Sequence, residues 1–237
     1  MVPRSSGELL AFELHGWSSA QLSGSGETFV AQEMRISDRS ASSSETLAAL
    51  LARVRACSVC ASALPLGPRP ILQMSTTATI LVASQAPGSR VHQTGVPFSD
   101  ASGVRLREWT GLSADEFYDE KMVAIIPMGF CYPGRSGGGD APPRPECQHL
   151  WRDQLLRLLP AVRLTLLVGS YAQKHVLGPG TITPRVRNFR DYLPHYFPLP
   201  HPSWRSRIWE EKNPWFHEDI LPALRAAIGR ARAGDQE

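Results

Sequence analysis

Lysine is nearly absent from this chain: only three of its 25 basic residues are lysine and the rest are arginine. Against 22 acidic residues this leaves a formal charge of +3, so overall charge selects no class of partner. What carries meaning is where the arginines gather. Long apolar runs are missing as well, and nothing approaches the roughly 20 apolar residues that span a bilayer. The stretch Met1 to Gly26 has no basic region leading into an apolar core, which argues against a secretory leader. The expectation is a cytoplasmic, reducing setting with no membrane partner. No internal repeat is evident. Cysteine is scarce, with four in 237 residues.

Those four are placed tellingly. Cys57-x2-Cys60 is followed far downstream by Cys131 and then, after fifteen intervening residues, by Cys147. A bacterial ferredoxin would crowd its cysteines into one run, and a zinc ribbon would close with a second C-x2-C. Neither pattern is present. A dispersed four-thiolate iron–sulfur site, a dispersed zinc site, two disulfides and four inert buried thiols all fit the spacing. A reducing compartment disfavours the disulfides.

Residues 1–44 carry eleven serines and no sustained periodicity, and read as a mobile leader ahead of a single domain over 45–237. Ser42 and Glu45 have capping-box spacing before Leu47, Leu50, Leu51 and Val54, which predicts a helix ending near Cys57. Beyond it, runs apolar on both faces alternate with helical patterns. Strands are expected over 78–84, 122–127, 164–169 and 196–199. Helices are expected near 102–109, 146–159, 171–177 and 214–230. This alternation predicts a three-layer α/β/α sandwich around a mainly parallel four-stranded sheet. Ligands then bind beyond the carboxyl ends of the strands. The loops that begin at Gln85, Met128 and Pro200 should share that rim.

The rim loops carry the most specific signals. The first holds Ser84-Gln-Ala-Pro-Gly88 and, after it, Gln93-Thr-Gly-Val-Pro-Phe98; the last holds His201-Pro-Ser203. In this order the set resembles the uracil-DNA glycosylase superfamily over roughly residues 55–228. The Gln93–Phe98 stretch is similar to the single-strand-selective monofunctional branch. The cysteine pattern is similar to the family-four enzymes, and the resemblance implies a structural 4Fe–4S cluster on Cys57, Cys60, Cys131 and Cys147. It also implies a monomeric enzyme that flips uracil out of DNA and hydrolyses its bond to the sugar.

Residue types fit that task. Phe98 offers a face for a flipped base. A donor aimed at the departing base lowers the barrier most, and the resemblance gives that role to His201. Ala86, Pro87 and Gly88, with Met128 and Gly129 of the second loop, would frame the base. Ser203 can cap a turn or hold a phosphate.

Two departures from the family stand out. No acid occurs in Ser84-Gln85-Ala86, where relatives carry a water-positioning side chain. Gln85 can orient a water but cannot take its proton. Asp100, the nearest carboxylate in sequence, can hold the water or stabilise the developing sugar cation, and it can equally cap the helix that follows. The second departure is Pro127, where relatives read the uracil edge with an asparagine; readout would fall to backbone groups of 128–130. Gly88 also replaces the thymine-excluding tyrosine of the most selective branch.

Hypoxanthine or xanthine is therefore an alternative substrate, and a catalytically weak iron–sulfur protein binding damaged or abasic DNA an alternative function. Five arginines fall between Pro184 and Ile208 against one acid. Arg185, Arg187 and Arg207 are expected to contact phosphates, and Arg205, beside Trp204, to act as the wedge that fills the gap left by a flipped base.

Overall fold

The computed structural model describes residues 45–234, so the expected leader lies outside the described residues. Helix α1 (Leu47–Arg55) starts at Thr46, whose hydroxyl accepts the Ala49 N–H at 3.3 Å. Ser42, from which a capping box is expected, lies outside the described residues. Glu45 turns outward to pair with Arg53 at 2.7 Å.

Strand β1 (Ile80–Ala83) leads to the short helices α2 (Ser89–Thr94), α3 (Ala101–Thr110) and α4 (Ala114–Tyr118), then to strand β2 (Val123–Ile125). A two-stranded hairpin follows, β3 (Arg135–Ser136) with β4 (Gly139–Asp140). After helix α5 (Asp153–Arg157) come strand β5 (Leu164–Val168), helices α6 (Ser170–Leu177) and α7 (Ile182–Arg187), and strand β6 (Tyr196–Leu199). Helices α8 (Ser206–Glu211) and α9 (Leu221–Ala233) close the fold.

The four long strands pair in the order β2-β1-β5-β6, all parallel. Every residue of β1, β2 and β5 is buried, because helices cover both faces. Alternation splits their side chains between two cores. Ile80, Val82, Val123, Ile125, Leu164 and Leu166 meet α3 and α9 on one face. Leu81, Ala124 and Ile126 meet α1 and α5 on the other. Each fully buried valine, leucine or isoleucine among them contributes about 1.5–3 kcal/mol. The expected three-layer α/β/α sandwich is the observed fold.

Two expected helices are less regular than their patterns. The 146–159 segment opens with a π-helical turn, Gln148–Arg152, directly after Cys147. The last helix has another, Phe216–Ile220, just before Pro222, whose missing N–H cannot bond the preceding turn. Pro198 is accommodated because β6 is an edge strand. Among the described residues, no helix is long and apolar enough to cross a membrane.

Candidate active site

A cleft of about 540 Å³ opens beyond the carboxyl ends of the strands, a size suited to a small organic ligand. The β1–β2 order reverses at β5, which makes this rim the switch point where α/β sheets bind ligands. The segment after β1 supplies Gln85, Ala86, Pro87, Gly88, Phe98 and Asp100 to its walls. The loop after β2 supplies Pro127 and the hairpin, and the loop after β6 supplies His201, Ser203, Trp204 and Arg205.

Phe98 is held in an unusual backbone conformation, with φ at +53°. Such a left-handed phenylalanine needs support from its surroundings. The Tyr118 hydroxyl donates to its carbonyl at 3.0 Å, and the Phe117 ring meets it edge-on at 6.0 Å. Gly103 completes the seat. A Cβ there would lie 1.7 Å from the Phe98 oxygen, so α3 approaches this close only because residue 103 is glycine. Asp100 caps the same helix, its Oδ1 accepting the Gly103 N–H at 3.1 Å. The expected cap is therefore present, and the same residue lines the cleft.

His201 follows β6 directly. The Gln173 amide on α6 donates to the Leu167 and Leu199 carbonyls, at 3.2 and 2.8 Å, and so clamps the ends of β5 and β6. The Ser203 N–H, at 2.9 Å, and the Ser206 hydroxyl both donate to the His201 carbonyl. Arg105 of α3 donates to the Ser203 carbonyl at 2.7 Å and pairs with buried Glu210, which ties this loop to the helix that Asp100 heads. No hydrogen bond to the His201 ring occurs among the described residues, so both nitrogens are available to a ligand. Burial pushes its pKa below the usual imidazole value, with the Asp100 charge pulling the other way. That direction favours the neutral ring, which carries one N–H able to donate.

Other expected residues are placed differently. Met128 and Gly129 do not line the cleft. Their N–H groups bond the Ser84 and Gln85 carbonyls at 2.7 and 3.0 Å, and the Phe130 N–H is 3.4 Å from the Cys147 sulfur. The N–H groups of 128–130 are thus already bonded within the fold. Arg185 is buried and donates to the carbonyls of Leu177, Gly178 and Pro179, sealing the end of α6 instead of reaching phosphate. Arg187 is exposed and sits 5.0 Å over the Trp215 ring. Arg207 lies in a separate charged groove with Glu210 and Arg225. Trp204 is 71% exposed at the cleft mouth, and Arg205 beside it donates to the Gly138 carbonyl of the hairpin.

Sequence reasoning missed Arg105, Gln173, Gly103 and Asp140. Asp140 lines the cleft from the open end of the hairpin, opposite Arg135.

The order of these parts in the chain and in space matches a known family. The family model of the uracil DNA glycosylase superfamily matches residues 73–225, from the approach to β1 into α9. The chain belongs to this superfamily. It is thus a DNA glycosylase, a hydrolase of N-glycosyl bonds.

The four cysteines come together around a second, smaller pocket walled by Leu64, Pro68 and Phe130. All four are free thiols, which removes the disulfide reading. Burial pushes Cys147 up to about 12 and raises Cys131 and Cys60 as well, so these thiols ionise only with a compensating cation. The Trp151 indole N–H lies 3.4 Å from the Cys57 sulfur, and with the Phe130 N–H it supplies two donors for thiolate charge. Among the described residues, no three His, Cys, Asp or Glu side chains are arranged to hold a single metal ion. Four soft donors ringing an apolar pocket fit a cluster's ligand set.

Proposed function

We propose that the chain is a monofunctional glycosylase that excises uracil from DNA and so starts base excision repair. The observation that carries this is that Phe98, Asp100 and His201, from segments far apart in sequence, line one cleft at the sheet's ligand-binding rim. In this reading the flipped base lies on Phe98. The glycosidic C1′–N bond breaks with its electron pair leaving on the base, and the neutral His201 N–H donates to the oxygen where that charge gathers. Water then adds to the cation-like sugar carbon. A monofunctional course is supported by the chain's scarcity of lysine. None of Lys121, Lys174 or Lys212 lines the cleft, so it offers no lysine amine to form a Schiff base.

Excision of hypoxanthine or xanthine is the second reading. Pro127 lines the cleft without an amide, and the neighbouring N–H groups are already bonded. Duplexes carrying a single uracil, hypoxanthine or xanthine, assayed by alkaline strand scission, decide between them. Uracil cut fastest supports the proposal, a purine cut fastest supports the second reading, and binding without cutting leaves a DNA-binding protein. We also assign a structural 4Fe–4S cluster to Cys57, Cys60, Cys131 and Cys147, in a monomer working in a reducing cytoplasm. When bound, it would cross-link the end of α1 to both ends of the hairpin loop and supply no reactive chemistry.

A further inference from the structure

We propose that Asp140 is the catalytic carboxylate that orients and deprotonates the attacking water, held in place by Gln85 acting through the hairpin. This rests on the glycosylase reading. The first motif lacks an acid, so the proton of the water needs another acceptor. Asp140 stands where one is required. A Cβ built on Gly88 would lie 3.3 Å from Asp140 Oδ2 and 3.9 Å from Asp100 Oδ2, so both carboxylates flank the same backbone at the head of α2. Asp100 has one oxygen committed to capping α3. Among the described residues, no hydrogen bond reaches the Asp140 carboxylate, and both its oxygens are free for water.

The hairpin is positioned with care. The Gln85 amide donates to the carbonyl of Ala141, the residue next to Asp140, at 3.1 Å. The Ala141 N–H bonds the Gly134 carbonyl at 2.8 Å, and Arg205 holds the Gly138 carbonyl from the opposite loop. Gln85 is therefore a positioning residue, which explains how a neutral side chain occupies a place where relatives carry an acid.

The electrostatics agree. Partial burial raises the Asp140 pKa, opposed by the charge of its cross-strand neighbour Arg135, helped by Asp100 and opposed again by Arg205; the net shift is upward. His201 lines the same cleft, and its lowered pKa favours the neutral ring. A carboxylate with a raised pKa is a better proton acceptor. In the reaction the C1′–N electron pair departs with the base, and the water oxygen then bonds the cation-like C1′. The water's proton passes to Asp140 and then to solvent.

The experiment is single-turnover excision against pH, using whichever of uracil, hypoxanthine or xanthine duplex the wild type cuts. The wild-type rate should fall as pH drops through the raised Asp140 pKa. Asp140→Asn should slow neutral-pH excision by about 10²-fold, the lower end for general base catalysis, and erase that acid limb. Its DNA affinity should hold. Its melting temperature at neutral pH should hold or rise, because a raised folded pKa means ionised Asp140 opposes folding there. Gln85→Ala should slow excision less and move the limb to lower pH, since a freed hairpin lets Asp140 hydrate. An Asp140→Asn enzyme with wild-type rate and pH profile overturns the proposal, as does loss of the limb in Asp100→Asn alone. A wild type that excises none of the three bases sinks the glycosylase reading, and this role falls with it.

Discussion

His201 shows how much of the site depends on a side chain being left alone. Its backbone carbonyl is bonded twice, while its ring is bonded to nothing among the described residues, so the loop fixes the ring's position and reserves both nitrogens. A neutral donor stabilises a forming anion without first being attracted to the ground state. His201→Ala is expected to slow single-turnover excision by about 10²–10³-fold with DNA affinity little changed. An unaltered rate would return His201 to a purely structural role. The lowered pKa has a second consequence, for stability. Because the folded value lies below the ordinary 6.5, both states are neutral at higher pH and this site contributes nothing there. As pH falls below the ordinary value the unfolded chain takes the proton first, and stability is lost. His201→Ala should melt with a shallower pH dependence across that window.

Elements were legible in proportion to how much apolar surface they bury. The four strands could be read from sequence because both faces are covered, and the longer helices from their apolar spacing. The short helices α2, α4, α7 and α8 offered too few turns to show a period. The hairpin was read as plain loop although Gly137-Gly138 sits between its strands, both at positive φ, the requirement of a tight two-residue turn. That glycine pair was the available signal for Asp140. Arg185 failed differently: a run of arginines reports charge, and only the fold reports that its guanidinium turns inward to the end of α6. Gly103 shows how one element sets the position of another. Gly103→Ala puts a methyl group against the Phe98 carbonyl, displacing the base platform and straining the Asp100 cap together. It should cost about 1–3 kcal/mol of stability, the usual scale of overpacking. Excision should fall by about 10²-fold, since a misplacement near 1 Å is enough. Val104→Ala, on the exposed side of the same helix, should leave both unchanged; equal effects at the two positions would mean that helix propensity, not the Phe98 seat, is responsible.

Across the whole molecule, the cysteine pocket and the cleft are linked through one loop. Cys131 and Cys147 stand at the two ends of the segment that carries the hairpin, and Asp140 lies between them. Cys57 and Cys60 follow α1, which packs on the face of the sheet opposite α3 and α9. A cluster on these four thiols would therefore tie the hairpin loop to the α1 layer of the fold. It would close a loop whose free ends otherwise cost ordering entropy. The sheet needs no such help, because its strands are buried on both faces. Metal loss should accordingly act locally. Protein purified anaerobically should be brown, with about four iron per chain. Cys131→Ser should abolish the colour and speed amide hydrogen exchange across 132–146 well before β1 or β5 is affected. Colourless wild-type protein with stoichiometric zinc would replace the cluster with an ion. Exchange that rises evenly over sheet and loop would show that the metal holds the whole fold together, and that the hairpin has no special dependence on it.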